Sequence, residues 1–256
     1  MWAVSDSRIT SRESILLDSS PKIFSLTIKC QTFNEEIFIP HFTHSIGMAY
    51  SGNSLVGLNF YVKLNNILSS LLCWNSKIPS IHEISISGGE LLKQLIKEVG
   101  VIIMDKAYCE VSIFGYCHIS QQFKVFHLKP EFTNEISVLV IEQNLGVDED
   151  FLLLGDKKQN IRELISQQRK LYKNRSLDWW NTPMNIIKNI VKEEKFNSIG
   201  GGIQTGLATK QEFVLLGEVI LAPEGNPGAR VLYQNLNISE EIFKIGSCTF
   251  FPPGVA

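Results

Sequence analysis

The chain of 256 residues is poor in several features, and each shortage excludes a class of function. No apolar run approaches the roughly 18 residues that a membrane-spanning helix needs. Met1-Trp2-Ala3-Val4-Ser5-Asp6-Ser7-Arg8 has no basic stretch leading into an apolar one, so it does not read as a secretory signal. A cytoplasmic location is therefore expected. Charge of one sign is also lacking, because 24 Lys and Arg face 26 Asp and Glu for a net charge of -2. That balance argues against a general electrostatic grip on nucleic acid or on an anionic membrane, and neither is expected as a partner. The five cysteines, Cys30, Cys73, Cys109, Cys117 and Cys248, form no C-x-x-C pair. A zinc ribbon and a thioredoxin-type motif are thereby excluded, and the thiols read as reduced and mostly buried. The histidines are dispersed as well. His41 and His44 are three apart and His118 follows Cys117, but a zinc site needs further ligands at compatible positions. No metal and no cofactor is expected.

The usual phosphate and nucleophile motifs are missing too. Gly200-Gly201-Gly202-Ile203-Gln204-Thr205-Gly206 has Thr205 where the last glycine of G-x-G-x-x-G would fall. It follows a helical pattern and precedes a strand pattern, the reverse of the dinucleotide-binding order, and no Lys-Ser/Thr pair follows it. It reads as a helix cap and tight turn. Gly52-Asn53-Ser54-Leu55-Val56-Gly57 misses G-x-S-x-G by one position, so Ser54 is not placed as a nucleophile.

What the chain does have is a hydrophobic content of 44 %, enough to bury a full core. Trp2 to Val4 reads as a short strand closed by Asp6-Ser7-Arg8. Pro21 to Cys30 alternates apolar and polar residues with strand periodicity. Ile37 to Ile39 and Ser45 to Tyr50 are further strands. From Asn53, Leu55, Leu58, Val62, Ile67 and Leu71 recur at helical spacing with apolar residues on the other faces, which predicts a helix buried nearly all round. A second, amphipathic helix runs to Gly100. Strands follow at Cys109–Tyr116, Phe123–Leu128, Ile136–Ile141 and Phe151–Leu154. A basic amphipathic helix then spans Lys157 to Arg175, with Ile161, Leu164, Ile165, Leu171 and Tyr172 on its apolar side. Thr182 and Pro183 mark the cap and first turn of another helix. Two strands, Ile203–Thr209 and Phe213–Leu221, precede a loop at Pro223–Gly228 and an irregular tail.

The helices therefore come in consecutive pairs between blocks of strands. A doubly wound parallel sheet would alternate them singly. The expected class is α+β, a four-layer αββα sandwich of two antiparallel sheets flanked by helix pairs. One domain is expected over 1–256, with an insertion near 32–44 and an irregular tail after about 222.

Three features combine at one place. Asp6-Ser7-Arg8 ends a strand in a carboxylate and a guanidinium, Lys22 heads the next strand sixteen residues after Asp6, and Ser51-Gly52 leads into a buried helix. On these residues the chain resembles the proteasome β-subunit and HslV-type N-terminal-nucleophile hydrolases. Phe196-Asn197-Ser198-Ile199-Gly200-Gly201 is similar to that family's helix-to-strand turn. The resemblance implies peptide-bond hydrolysis of the threonine type in a ring or stacked homo-oligomer acting on a peptide or protein. It assigns Asp6 and Lys22 as a charge pair, Arg8 as support for the loop and the Gly52 amide as oxyanion donor. The chemistry is coherent. A hydroxyl on a chain's first residue is activated by its own α-amine, a neighbouring Lys lowers its pKa, and a backbone N–H stabilises the oxyanion.

The resemblance breaks at the nucleophile, which in that family lies on a strand before the Asp-Ser-Arg strand; here five residues precede Asp6. Gly155-Asp156-Lys157 stands where the family has Gly-Ser-Gly. Two expectations follow: a Thr, Ser or Cys nucleophile encoded upstream, or a catalytically inactive structural or interaction subunit. A third reading is an unrelated α+β binding protein that engages an acidic partner through the basic helix.

Overall fold

The computed structural model describes residues 1–11, 14–34, 37–132, 135–144, 151–221, 229–238 and 243–255. In chain order the first half comprises β1 (Trp2–Asp6), β2 (Ile9–Ser11), β3 (Ser14–Leu17), β4 (Ile23–Asn34), β5 (Ile37–Gly52), α1 (Ser54–Leu68), β6 (Leu71–Leu72) and α2 (Ile81–Ile103). There follow β7 (Cys109–Cys117), β8 (Gln122–Phe132), β9 (Ile136–Glu142), α3 (Lys158–Arg169), α4 (Leu177–Lys192), β10 (Ile203–Ala208) and β11 (Phe213–Leu221). Short strands β12 (Ala229–Tyr233), β13 (Leu236–Asn237), β14 (Lys244–Ile245), β15 (Cys248–Thr249) and β16 (Gly254–Val255) close the chain. The class is α+β. Among the described residues no helix is long and apolar enough to cross a membrane.

The chain forms two compact units. The first comprises Met1, Phe24–Gly155 and Ala208–Phe213. Its sheet runs β6-β4-β5-β7-β8-β9. Alternation on β4 sends Phe24, Leu26, Ile28 and Cys30 into the core, and β7, buried at every position, is the central strand. The α1 and α2 helices pack on each other and against this sheet. Asn53 caps α1 by accepting from Val56 N at 3.1 Å. Ser80 and Glu83 form a reciprocal capping box at the start of α2, through Ser80 N to Glu83 Oε2 at 2.8 Å and Glu83 N to Ser80 Oγ at 3.2 Å.

The second unit comprises Trp2–Ile23, Asp156–Leu207 and Val214–Ala256. Its sheet runs β1-β10-β11-β12-β13, with β16 parallel to β11. The β1 and β10 strands are antiparallel, from Trp2 opposite Leu207 to Asp6 opposite Ile203. The α3 and α4 helices pack together, and α4 lies on β1.

Several expectations are corrected. The buried stripe of α1 is Val56, Phe60, Leu64 and Leu68, while Leu55, Val62 and Ile67 are exposed. With apolar residues on every face, periodicity gave no unique choice of side. Phe151–Leu154 is not a strand. The α3 helix stops at Arg169, and the exposed Leu171 lies beyond it. The α4 helix starts at Leu177 with Ser176 as its cap, which puts Pro183 in its interior. The insertion near 32–44 continues β4 and β5 as one long pair of strands, with 35–36 outside the described residues. The tail is not wholly irregular, since Ala229–Tyr233 forms β12 and pairs antiparallel with β11. The Pro223–Gly228 loop lies outside the described residues.

Candidate functional site

Asp6 is the last residue of β1, and its carboxylate is held at three points. Oδ1 accepts from Lys22 Nζ at 2.8 Å, and Oδ2 accepts from Arg8 N and Gly200 N, both at 3.1 Å. The pair is largely withdrawn from water, with side-chain exposures of 12 % for Asp6 and 15 % for Lys22. The backbone that carries Lys22 is fixed by a residue that sequence reasoning missed. Gln204 Oε1 accepts from Lys22 N at 2.8 Å and Ile23 N at 3.3 Å, while its Nε2 donates to Ser20 O at 2.7 Å. One amide side chain thus replaces a rung of ladder between β10 and the segment entering β4.

Ser7 is a second residue whose weight the sequence understated. It is fully buried, donates from Oγ to the Asp18 carbonyl and accepts from Gly202 N at 2.7 Å. Its backbone N donates to Gly200 O at 3.2 Å, and its carbonyl accepts from Ser20 N at 2.9 Å. Arg8 turns away from the Asp6–Lys22 pair. Its Nε donates to Asp18 Oδ1 at 2.7 Å, and the guanidinium lies 3.6 Å from Glu194. The Asp18 hydrogen bond raises the Arg8 pKa against the opposing effect of burial. Arg8 thus ties the corner to Asp18 and Glu194.

The glycine run 200–202 is shaped to this motif. A Cβ on Gly200 would stand 2.3 Å from Arg8 Cζ, and one on Gly202 would stand 2.2 Å from Asn235 Oδ1. Gly201 has φ +75°, and its Cβ would reach within 2.3 Å of the Asp18 carbonyl. The run is not the helix cap its sequence suggests, since α4 ends at Lys192 with Glu193 as its cap; it bends at Gly201 and packs against the Asp-Ser-Arg corner.

Gly52 belongs to the other unit. It ends β5 with φ +109°, opposite Cys109, and a Cβ would lie 2.4 Å from the Tyr108 carbonyl. That unit also holds a polar cluster with no sequence signature. The Glu110 side chain is 1 % exposed; Oε2 lies 2.8 Å from His127 Nε2, and Oε1 accepts from Gly155 N at 2.6 Å. Burial first, and Glu110 next, push Tyr108 up to about 12. Among the described residues no group of three or more His, Cys, Asp or Glu side chains could hold a metal.

No family model matches the chain, and no curated protein matches it. Its fold is found among solved structures. The Anbu (ancestral beta-subunit) from Yersinia bercovieri aligns at a TM-score of 0.57 and 14 % identity over 84 % of this chain and 81 % of that one. The Anbu (Gly-1) mutant from Hyphomicrobium sp. strain MC1 aligns at 0.57 and 11 % identity over 92 % and 83 %. The helical assembly of the Anbu complex from Pseudomonas aeruginosa aligns at 0.57 and 14 % identity over 88 % and 83 %. At such identities the likeness is one of fold. It corrects the resemblance drawn from the motifs, because these three structural neighbours are Anbu (ancestral beta-subunit) proteins, a family related to the proteasome β-subunits and HslV but distinct from them.

Proposed function

We propose that this chain is an Anbu-like subunit that cleaves amide bonds in peptides, with the Lys22 ammonium as the charge that activates the nucleophile. In this reading the nucleophile is a Thr, Ser or Cys carried N-terminal to β1. Asp6 orients Lys22, Arg8 braces the loop, and the Gly52 amide is the oxyanion donor. The observation that carries the proposal is the state of Lys22. Its Nζ is largely buried yet gives a single hydrogen bond, to Asp6, among the described residues of its unit. A buried ion pair is a poor stabiliser unless its hydrogen bonds are completed. A fixed cation with two N–H groups to spare suits a site that receives a reacting group. The αββα stacking of one domain and the formation of a ring or stacked assembly belong to the same proposal. Their support is the helix-pair-on-sheet build of each unit and the helical assembly of the P. aeruginosa Anbu complex.

The test expresses the whole reading frame, including any codons before Met1, and assays a fluorogenic peptide amide. Lys22→Ala and Asp6→Asn should each lower kcat by about 10²-fold or more with unchanged far-UV circular dichroism. Hydrolysis indifferent to Lys22→Ala overturns the assignment. An assembled wild-type protein without any hydrolysis supports the second reading, a non-catalytic assembly subunit, which the assembly of that same neighbour favours.

A further inference from the structure

Two imidazoles stand together in the first unit, away from the Asp6–Lys22 pair in sequence and assigned to no function. His44 is on β5 and His118 directly follows β7; their ring centroids are 4.4 Å apart and the planes nearly perpendicular. Phe42 and Tyr116 each stack edgewise on His118 at 5.2 Å. His44 is 5 % exposed, and its Nδ1 lies 2.9 Å from the Gln211 carbonyl. That contact makes Nδ1 the donor, so in the neutral ring Nε2 carries the lone pair. Both Nε2 atoms are buried, and neither has a hydrogen-bond partner among the described residues.

Gln211 lies in the turn that joins β10 to β11, which His44 ties to the β5 strand with help from its neighbour Ser45. Ser45 Oγ accepts from Phe213 N at 2.8 Å and lies 3.2 Å from Phe213 O, and Phe213 packs edgewise on Phe114 at 5.4 Å. Lys210 Nζ is 5.9 Å from the Tyr116 ring centroid. Tyr116 keeps its hydroxyl on Gln121, and Glu212, the only carboxylate in the 209–212 turn, is exposed. Ser25 on β4 contributes a neutral hydroxyl near Phe213 O.

We propose that the His44–His118 pair is an acid-sensitive latch, which holds the 208–213 turn on β5 while both rings are neutral and releases it when His44 takes a proton. Protonation would put an N–H⁺ on a buried nitrogen of a ring whose neighbour, 4.4 Å away between centroids, is another imidazole. The energetics agree. Burial first lowers the His44 pKa from 6.5, and His118 lowers it further, outweighing the Gln211 and Tyr116 carbonyls that favour the charged ring. A group with a lowered folded pKa contributes its full stability above the ordinary value. That contribution falls as pH drops below 6.5 and levels off below the folded pKa. The latch does not rest on the hydrolase reading.

Hydrogen exchange on the full chain tests it, after correction for the intrinsic pH effect. Between about pH 7.5 and about pH 5.5, opening of residues 208–213 should rise by up to about tenfold, while peptides in the middle of α2 change little. His44→Asn keeps a donor for the Gln211 carbonyl but cannot titrate, and should abolish the acid response. Should that variant fail to fold, the wild-type His44 ring protons followed by NMR decide, with a midpoint below 6.5 expected. Equal protection at both pH values, an undiminished response in His44→Asn, or a His44 midpoint at or above the ordinary value would each overturn the latch.

Discussion

Asp6 and Lys22 were legible only in combination, through their sixteen-residue spacing and the resemblance it carries, and their side chains do form an ion pair. Their supports were not. Ser7 sits between two conspicuous residues and makes four hydrogen bonds, yet a serine in a turn carries no signal of its own. Gln204 is one polar position on an alternating strand. Its part depends on Ser20 and Lys22, more than 180 residues away in the chain. The glycines 200–202 were visible, but the side chains that exclude a Cβ there come from the Asp-Ser-Arg corner and from Asn235. The serine gives a direct test. Ser7→Ala would leave the Gly202 N–H without its partner in a buried place and take from the Asp18 carbonyl one of its two donors, the other being Asn235 Nδ2 at 2.8 Å. A loss of about 2 kcal/mol in urea denaturation is expected. Ser87→Ala, at an exposed position on α2, should cost no more than about 0.5 kcal/mol. Equal effects would show that Ser7 is not the buried hub described.

At the scale of the element, boundaries went wrong where two signals competed. Thr182-Pro183 has the form of a cap and first turn, and that form hid the earlier cap at Ser176, whose Oγ accepts from Trp179 N at 3.3 Å. A proline inside a helix leaves the carbonyl four residues back without a donor. Here that carbonyl is Trp179 O, and Arg169 from α3 reaches it, with Nε at 3.2 Å and the guanidinium 3.7 Å from the Trp179 ring centroid. The helix pair is thus stitched where its second member is weakest, a contact no periodicity encodes. A double-mutant cycle tests this account. Arg169→Ala should destabilise by about 1–3 kcal/mol, combining a lost charged hydrogen bond with a lost cation–π contact. In a Pro183→Ala background the residue 183 N–H can bond Trp179 O itself. The cost of Arg169→Ala should then shrink by about 1 kcal/mol. Purely additive effects would mean that Arg169 does not stand in for the missing donor.

For the whole molecule, the paired helices between strand blocks were sufficient to reach the α+β class. The division into two units was not legible, because it depends on which strands pair. Trp2 lies opposite Leu207, and no local pattern names a partner at that distance. The same division puts Cys30, Cys73, Cys109 and Cys117 in the first unit and Cys248 in the second. Cys30, Cys109 and Cys117 lie on two different strands but in one hydrophobic cluster, whereas Cys248 is exposed. Burial, with Cys73 beside it, pushes the Cys30 thiol up to about 12, and burial also raises Cys109. Cys30 and Cys109 therefore react only after the cluster opens. At Cys117 burial also raises the thiol, but hydrogen bonds with Ser120 and neighbouring backbone outweigh it and lower its pKa, so its shielding rests on packing alone. In the native protein Cys248 should react fastest toward an aromatic disulfide reagent, with half-buried Cys73 slower. Under mild denaturant, Cys30, Cys109 and Cys117 should become reactive along a single transition, because a shared close-packed core opens cooperatively. Cys117 reacting at clearly lower denaturant than Cys30 would divide that core. The end of β7 nearest His118 would then open independently of the strand's beginning, and the latch would sit on a locally weak segment instead of a unit that opens as one.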